Sequence, residues 1–155
     1  MIKKLLIGFV LLFIAAQFIQ PSKNEGASAG PADITRALTV PDDVLALLKT
    51  SCYDCHSNHT DYPWYDRISP VSWWVAGHIK EGKRELNFTE FGNYSRKKQL
   101  NKLKETVELV EAGEMPLKSY LLLHGDARLT EAQKKRLTDW TKKAADGLGG
   151  AGQTE

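Results

Sequence analysis

The chain has 155 residues, of which 42% are hydrophobic and 26% are charged, and it contains two cysteines and two methionines. This length indicates one domain with appended segments. The 21 lysines and arginines nearly balance the 19 aspartates and glutamates, and this balance argues against nucleic-acid binding, which requires a strongly basic face.

Residues 1–20 predict a signal peptide or a membrane anchor. Lys3 and Lys4 precede an apolar run over residues 5–19 that contains no charged side chain. Such a segment directs a chain to export. We expect it to remain as an anchor with the two lysines on the cytoplasmic side. The alternative is cleavage after the small residues 27–29, which would release a soluble protein.

The rest of the chain divides by composition. Residues 21–40 are small, polar and contain glycine and proline, so we predict a flexible linker there. Residues 41–145 predict a helical domain, and the glycine-rich residues 146–155 predict a disordered tail.

Helix signals without any convincing strand predict an all-α fold for this domain. The start signals are Pro41, Ser69 with Pro70, Ser95, and Thr130 with Glu131. Ser69 is predicted as an N-cap with Pro70 in the first helical position. Gly113 is predicted to end the third helix. Residues 57–68, between the first two helices, predict a loop.

The run SCYDCH carries the strongest motif. Cys52 and Cys55 are followed at once by His56, and C-x-x-C-H is the attachment signature of c-type haem. Residues three apart on a helical turn lie on the same side, so both thiols can reach the two vinyl groups of one porphyrin. His56 then becomes the proximal ligand of the iron. The sequence therefore predicts covalently attached haem c.

Three other interpretations of the two cysteines are open. A thioredoxin-type redox pair would require a βαβ context, which the sequence does not predict. A disulfide between residues three apart closes a very short loop and leaves His56 unexplained. A zinc site formed with His56 and His59 would have four ligands within eight residues, whereas structural zinc usually joins two separated ligand pairs.

Met115 is the predicted sixth ligand of the iron. It is the one methionine besides the initiator, follows Cys55 by 60 residues, and lies between Gly113 and Pro116. A thioether is a soft axial ligand that raises the haem potential relative to two imidazoles. The alternative sixth ligand is His78, which shares a helical stripe with apolar neighbours.

The runs CYDCHSN, PWY, PVSWW, LNFTEF and GEMPLKSY resemble a bacterial haem-binding domain family related to cytochromes c. The resemblance extends from about residue 40 to residue 145. It implies a cytochrome c-like helical domain enclosing one haem held by Cys52, Cys55 and His56. Met115 matches the usual position of the methionine ligand in cytochromes c, and His78 also falls within a motif of the family.

We therefore expect a periplasmic electron carrier, tethered to the inner membrane by residues 2–20, that exchanges single electrons with redox partner proteins. A closed six-coordinate haem, with no catalytic constellation elsewhere in the sequence, favours a carrier over an enzyme. The alternatives are a haem enzyme subunit, peroxidase-like or dehydrogenase-associated, and a haem sensor with a labile sixth ligand.

Overall fold

The computed structural model describes residues 1–150, and it confirms the all-α prediction for them. No β-strand occurs in this part of the chain, where the one β-type contact is an isolated bridge between Glu25 and His59. The α-helices are α1 (Ile2–Gln17), α2 (Ile34–Ala37), α3 (Asp42–Ser51), α4 (Tyr53–His56), α5 (Val71–Glu85), α6 (Arg96–Glu111) and α7 (Glu131–Gly150). Short 3₁₀ helices cover Trp64–Arg67, Phe88–Asn93, Tyr120–Leu122 and Gly125–Ala127.

The predicted tail begins inside helix α7. This helix continues through Gly150, so residues 146–150 are helical, and residues 151–155 lie outside the described part of the chain. The predicted loop over 57–68 contains the 3₁₀ helix Trp64–Arg67.

The core lies where α3, α6 and α7 meet. Helix α6 packs along α7, α3 contacts α7, and Phe88 and Phe91 belong to the same buried cluster as the core residues of these helices. The innermost side chains are fully buried and apolar: Ile34, Val44, Leu48, Phe91 and Leu137. Burying such side chains stabilises the fold by roughly 1.5–3 kcal/mol each, so this core fixes the helices that border the site.

Four of the five predicted helix boundaries agree with the structure, and α3 begins at Asp42, directly after Pro41. The hydroxyl of Ser95 accepts the Lys98 N–H at 3.3 Å, and Gly113 follows α6 with a φ of 69°. Thr130 and Gln133 form a capping box, in which the Thr130 N–H donates to the Gln133 side chain at 2.9 Å. At these helix ends, capping side chains or a glycine turn stabilise the terminal backbone.

The prediction for Ser69 is wrong. Helix α5 begins at Val71 with Pro70 as its N-cap, and Ser69 caps no backbone N–H. Ser69 is instead fully buried and exchanges two hydrogen bonds with the Gln17 side chain, at 3.0 and 3.1 Å. A partner far away in sequence therefore replaces the local cap.

The segment predicted as a flexible linker contacts the domain. Lys23 forms an ion pair with Asp66, which is only 1% exposed. The Asn24 side chain donates to the Ser57 carbonyl at 3.0 Å and to the Thr60 hydroxyl at 2.9 Å. We call residues 20–26 the clasp, because they attach the end of α1 to the domain.

Helix α1 is apolar and exposed. None of its residues is buried against the rest of the chain, and its large side chains from Leu5 to Ile14 are all solvent-accessible. Within residues 1–150, no helix combines the length and the hydropathy needed to cross a bilayer.

Helix α5 does not bury the stripe expected from its periodicity. Ile79 and Ser72 are buried, whereas Val71 and Trp74 lie on the surface. His78 is half-buried. The face of α5 that meets the domain therefore contains Ser72 and Gly82 as well as Ile79.

Candidate functional site

The Cys–His motif forms a single helical turn. Helix α3 ends at Ser51, and the N–H groups of Cys55 and His56 both donate to the Cys52 carbonyl, at 3.2 and 3.0 Å. Residues at this spacing share one side of the turn. Both cysteines are free thiols, so the structure does not contain the disulfide considered above.

Helix α5 packs directly on this turn at Gly82. A Cβ atom at this position would lie 2.6 Å from the Cys55 carbonyl oxygen and 3.2 Å from the Cys55 Cβ. Such contacts exclude any side chain, so glycine is required for the close approach. The approach brings the end of α5 against the motif.

The end of α5 orients His56. The His56 Nδ1 lies 3.0 Å from the backbone carbonyl oxygen of Leu86. Because a carbonyl only accepts, Nδ1 carries the hydrogen, and Nε2 keeps a lone pair. Burial lowers the pKa of His56, which favours the neutral ring. A neutral imidazole held through its other nitrogen is the usual form of a metal-binding histidine.

Both cysteines are protonated at neutral pH. Burial raises the pKa of Cys52 to about 12 and that of Cys55 to about 11. Redox-active C-x-x-C pairs have the opposite property, a lowered pKa that favours the thiolate. The electrostatics of the turn therefore disfavour the thioredoxin-type interpretation.

A cavity of about 400 Å³ opens beside the motif. It lies between α4, α5, α6 and the loop after α6, and its surface is mostly apolar. Its volume is in the range of sites for small organic ligands. The residues predicted from the sequence as ligands all line it: Cys52, Cys55, His56, His78 and Met115.

The turn after α6 carries Met115 into this cavity. Gly113 adopts a positive φ, and the N–H groups of Glu114 and Met115 both donate to the Leu109 carbonyl, at 2.9 and 3.1 Å. These bonds hold the residue against the end of α6. Met115 is half-buried and packs against the core.

His78 reaches the same cavity from α5. Its ring packs edge-on against Trp74, with a centroid distance of 4.4 Å. The structure therefore brings together both predicted candidates for the sixth ligand, and it does not choose between them.

The polar residues of the cavity were not identified from the sequence. Lys102 is the one lysine or arginine among the residues that line it, and its ammonium pairs with Glu105 at 2.6 Å and Glu85 at 3.4 Å. On another side, the Tyr120 hydroxyl donates to Asp54 at 2.7 Å. Lys102 and Glu105 form a local i,i+3 pair on α6. The Lys102–Glu85 and Tyr120–Asp54 pairs depend instead on the packing of distant segments, so no local signal indicates them.

The zinc interpretation finds no support in the geometry. Among residues 1–150, no three histidine, cysteine, aspartate or glutamate side chains are grouped so that they could hold a metal ion. His59 turns away towards Asp61, at 3.5 Å. The cavity thus presents two thiols, one oriented imidazole and one thioether around an apolar space, a set suited to covalent attachment and axial coordination.

Comparison with known proteins gives one match. A family model described as a haem-binding domain matches residues 11–143. No curated protein and no solved structure matches the chain.

Proposed function

Because the chain belongs to the haem-binding domain family, we propose that it holds one haem c, attached covalently through Cys52 and Cys55. His56 is the proximal ligand and Met115 the sixth ligand. The protein then serves as a carrier of single electrons.

One observation carries this proposal. Cys52, Cys55, His56 and Met115 line the same apolar cavity, although the methionine follows the motif by 60 residues. The donor set suits a haem, because thiols form thioethers with vinyl groups, and imidazole and thioether are common axial ligands. The volume and the apolar surface suit a flat macrocycle.

The bound haem would supply reversible one-electron exchange at its iron. The chain's own residues set the conditions for that exchange. The Leu86 carbonyl fixes the tautomer and the orientation of His56 and increases its basicity. Met115, held on the Leu109 carbonyl, offers a soft sulfur that raises the potential. The apolar wall excludes water and limits rearrangement.

The expected setting is the periplasmic face of the inner membrane, with redox proteins as partners. The apolar run over residues 5–19, preceded by Lys3 and Lys4, supports an export segment retained as a tether. Export also agrees with a haem attached outside the cytoplasm. A soluble form released by cleavage is the alternative.

His78 favours a second candidate function. It lines the cavity together with Glu81, so two titratable side chains would be available to a haem bound there. Should Met115 stay unbound, this pair would suit a peroxidase-like subunit, a dehydrogenase-associated subunit or a sensor of small gases. Carbon monoxide binding by the reduced protein distinguishes such an open site from a closed carrier.

The test uses the full chain, coexpressed with a c-type maturation system and purified in detergent. We expect haem to stay with the denatured chain in the native sequence and to be lost from the double variant Cys52→Ala with Cys55→Ala. We also expect a ferric absorption band typical of sulfur coordination, and no carbon monoxide binding.

The outcomes separate the candidates. Covalent haem without the sulfur band, or with carbon monoxide binding, would move the proposal to His78 or an open site. A chain that carries no haem after coexpression would overturn the proposal altogether.

A further inference from the structure

An exposed apolar patch surrounds the point where α1 meets the domain. We call it the tryptophan patch. Its indoles are large and accessible, since Trp73 is 41% exposed and Trp74 is 52% exposed. Its members are Phe18, Ile19, Ile68, Val71, Trp73 and Trp74.

Direct hydrogen bonds fix the patch to the end of α1. The Trp73 indole N–H donates to the Ile19 carbonyl at 2.6 Å. The Gln17 side chain accepts from the Ser69 N–H at 3.0 Å, and the Gln20 side chain donates to the Ser69 hydroxyl at 3.1 Å. These hydrogen bonds connect the apolar surface of α1 directly to the first turn of α5.

The chemistry of this continuous surface identifies its occupant. No lysine, arginine, aspartate or glutamate occurs between Leu5 and Ser22, and α1 is exposed on all its faces. A helix that is apolar all round requires an apolar solvent. Indole rings lie preferentially at the boundary between lipid and water, where one end of the ring is apolar and the other hydrogen-bonded.

We propose that the tryptophan patch rests on the lipid–water boundary of a phospholipid bilayer and seats the domain on the surface that receives α1. Trp73 and Trp74 are the anchoring side chains, and Ile68 and Val71 extend the contact. The inference rests on the tether proposed above and is independent of the haem.

The patch also adjoins the cavity. Trp74 packs against His78 at a centroid distance of 4.4 Å, and His78 lines the cavity. A domain seated through this patch would thus hold one wall of its cavity close to the lipid surface.

Photocrosslinking from lipids tests the proposal on the full chain with its haem. The chain is reconstituted into vesicles of phosphatidylethanolamine and phosphatidylglycerol that contain a lipid with a diazirine near the headgroup. After illumination, labelled peptides are identified by mass spectrometry. We expect labelling of residues 68–74 as well as of the end of α1.

A pair of variants supplies the control. The variant Trp73→Ser with Trp74→Ser should lose labelling at Ile68 and Val71. The matched variant Leu122→Ser with Leu123→Ser also removes two exposed apolar side chains, but outside the patch, and should retain it. Covalent haem, measured by haem staining of the denatured chain, should be unchanged in both.

The other results would overturn the proposal. If α1 is labelled and residues 68–74 are not, the membrane tether is supported but the contact of the tryptophan patch with the bilayer is disproved. Crosslinks between the patches of two chains would assign the patch to a second copy, and an unlabelled chain would remove both tether and seat. Full labelling without covalent haem would overturn the proposed function alone.

Discussion

At Gly82, helix α5 approaches the Cys–His motif too closely to leave room for a side chain. The carbonyl oxygen of Cys55 occupies the position next to where a side chain would begin, at 2.6 Å. Any Cβ there forces α4 and α5 apart. Such a shift would also move the Leu86 carbonyl away from His56.

The variant Gly82→Ala should therefore be destabilised by about 1–3 kcal/mol, the usual cost of overpacking a close contact. The matched variant is Gly77→Ala on the same helix, where a Cβ meets nothing within 4 Å. It should be stabilised by about 0.5–1 kcal/mol, because alanine favours the helix. Urea unfolding followed by circular dichroism measures both. Equal effects of the two substitutions would contradict the close contact.

The second prediction at the residue scale concerns Met115, the proposed sixth ligand. Replacing it by alanine should remove the sulfur band of the ferric protein, permit carbon monoxide binding to the reduced protein, and lower the reduction potential, because the soft ligand is lost. Redox titration and optical spectra measure these changes. Leu122→Ala, a change at an exposed site, is the control. An unchanged spectrum of the Met115 variant would leave His78 as the ligand.

The sequence was sufficient for residues whose role depends on near neighbours. The C-x-x-C-H turn, the Ser95 cap and the Gly113 terminus each follow from groups within a few positions. The Leu86 carbonyl could not be identified in this way, because a backbone acceptor leaves no trace in residue type. Its position depends on how α5 packs.

At the scale of elements, Ser69 and the first residues of the segment 21–40 are held by partners that lie far away in the sequence. Ser69 has the composition of a cap but bonds to Gln17, which lies 52 positions earlier. The small, polar residues after α1 resemble a linker, yet Lys23 finds a buried carboxylate on Asp66. Long-range partners of this kind are invisible to local patterns.

The ion pair between Lys23 and Asp66 should contribute to the free energy of unfolding. The variant Lys23→Met should be destabilised by about 3–5 kcal/mol, because it leaves the buried Asp66 without its counter-charge. The double variant Lys23→Met with Asp66→Asn should recover much of this loss, since the amide carries no charge. Urea unfolding of the full chain in detergent compares the three proteins. No recovery in the double variant would show that the charge is not the cause.

At the scale of the whole molecule, contacts link the described chain from α1 through the clasp to the helical domain. Two truncations test this connection. A chain that begins at Gln17 keeps the clasp and the hydrogen bonds of Gln17 to Ser69, so it should unfold at the same urea concentration as the full chain. A chain that begins at Gly30 loses both Lys23 and Asn24, so it should be destabilised by more than about 3 kcal/mol. Equal midpoints for the two truncations would contradict a structural role of the clasp.

The sequence was least informative at this largest scale. It indicated helices, their order and five of the residues that line the cavity, namely Cys52, Cys55, His56, His78 and Met115. It did not indicate that Trp74 lies on the surface, since an aromatic side chain on a helical stripe usually faces a core.

The clasp also determines how far the domain can travel. A free chain of 20 residues would let its end range over about 25 Å, enough to sweep between partners around a fixed point. Asn24 is hydrogen-bonded to Ser57, and Gly26 to Asn58. These bonds leave only the few residues around the end of α1 as a link, so the distance that the domain can travel is much shorter. A carrier tethered to a membrane as proposed would meet its redox partners by lateral diffusion in two dimensions. Lengthening the segment would therefore change its rate of encounter with them.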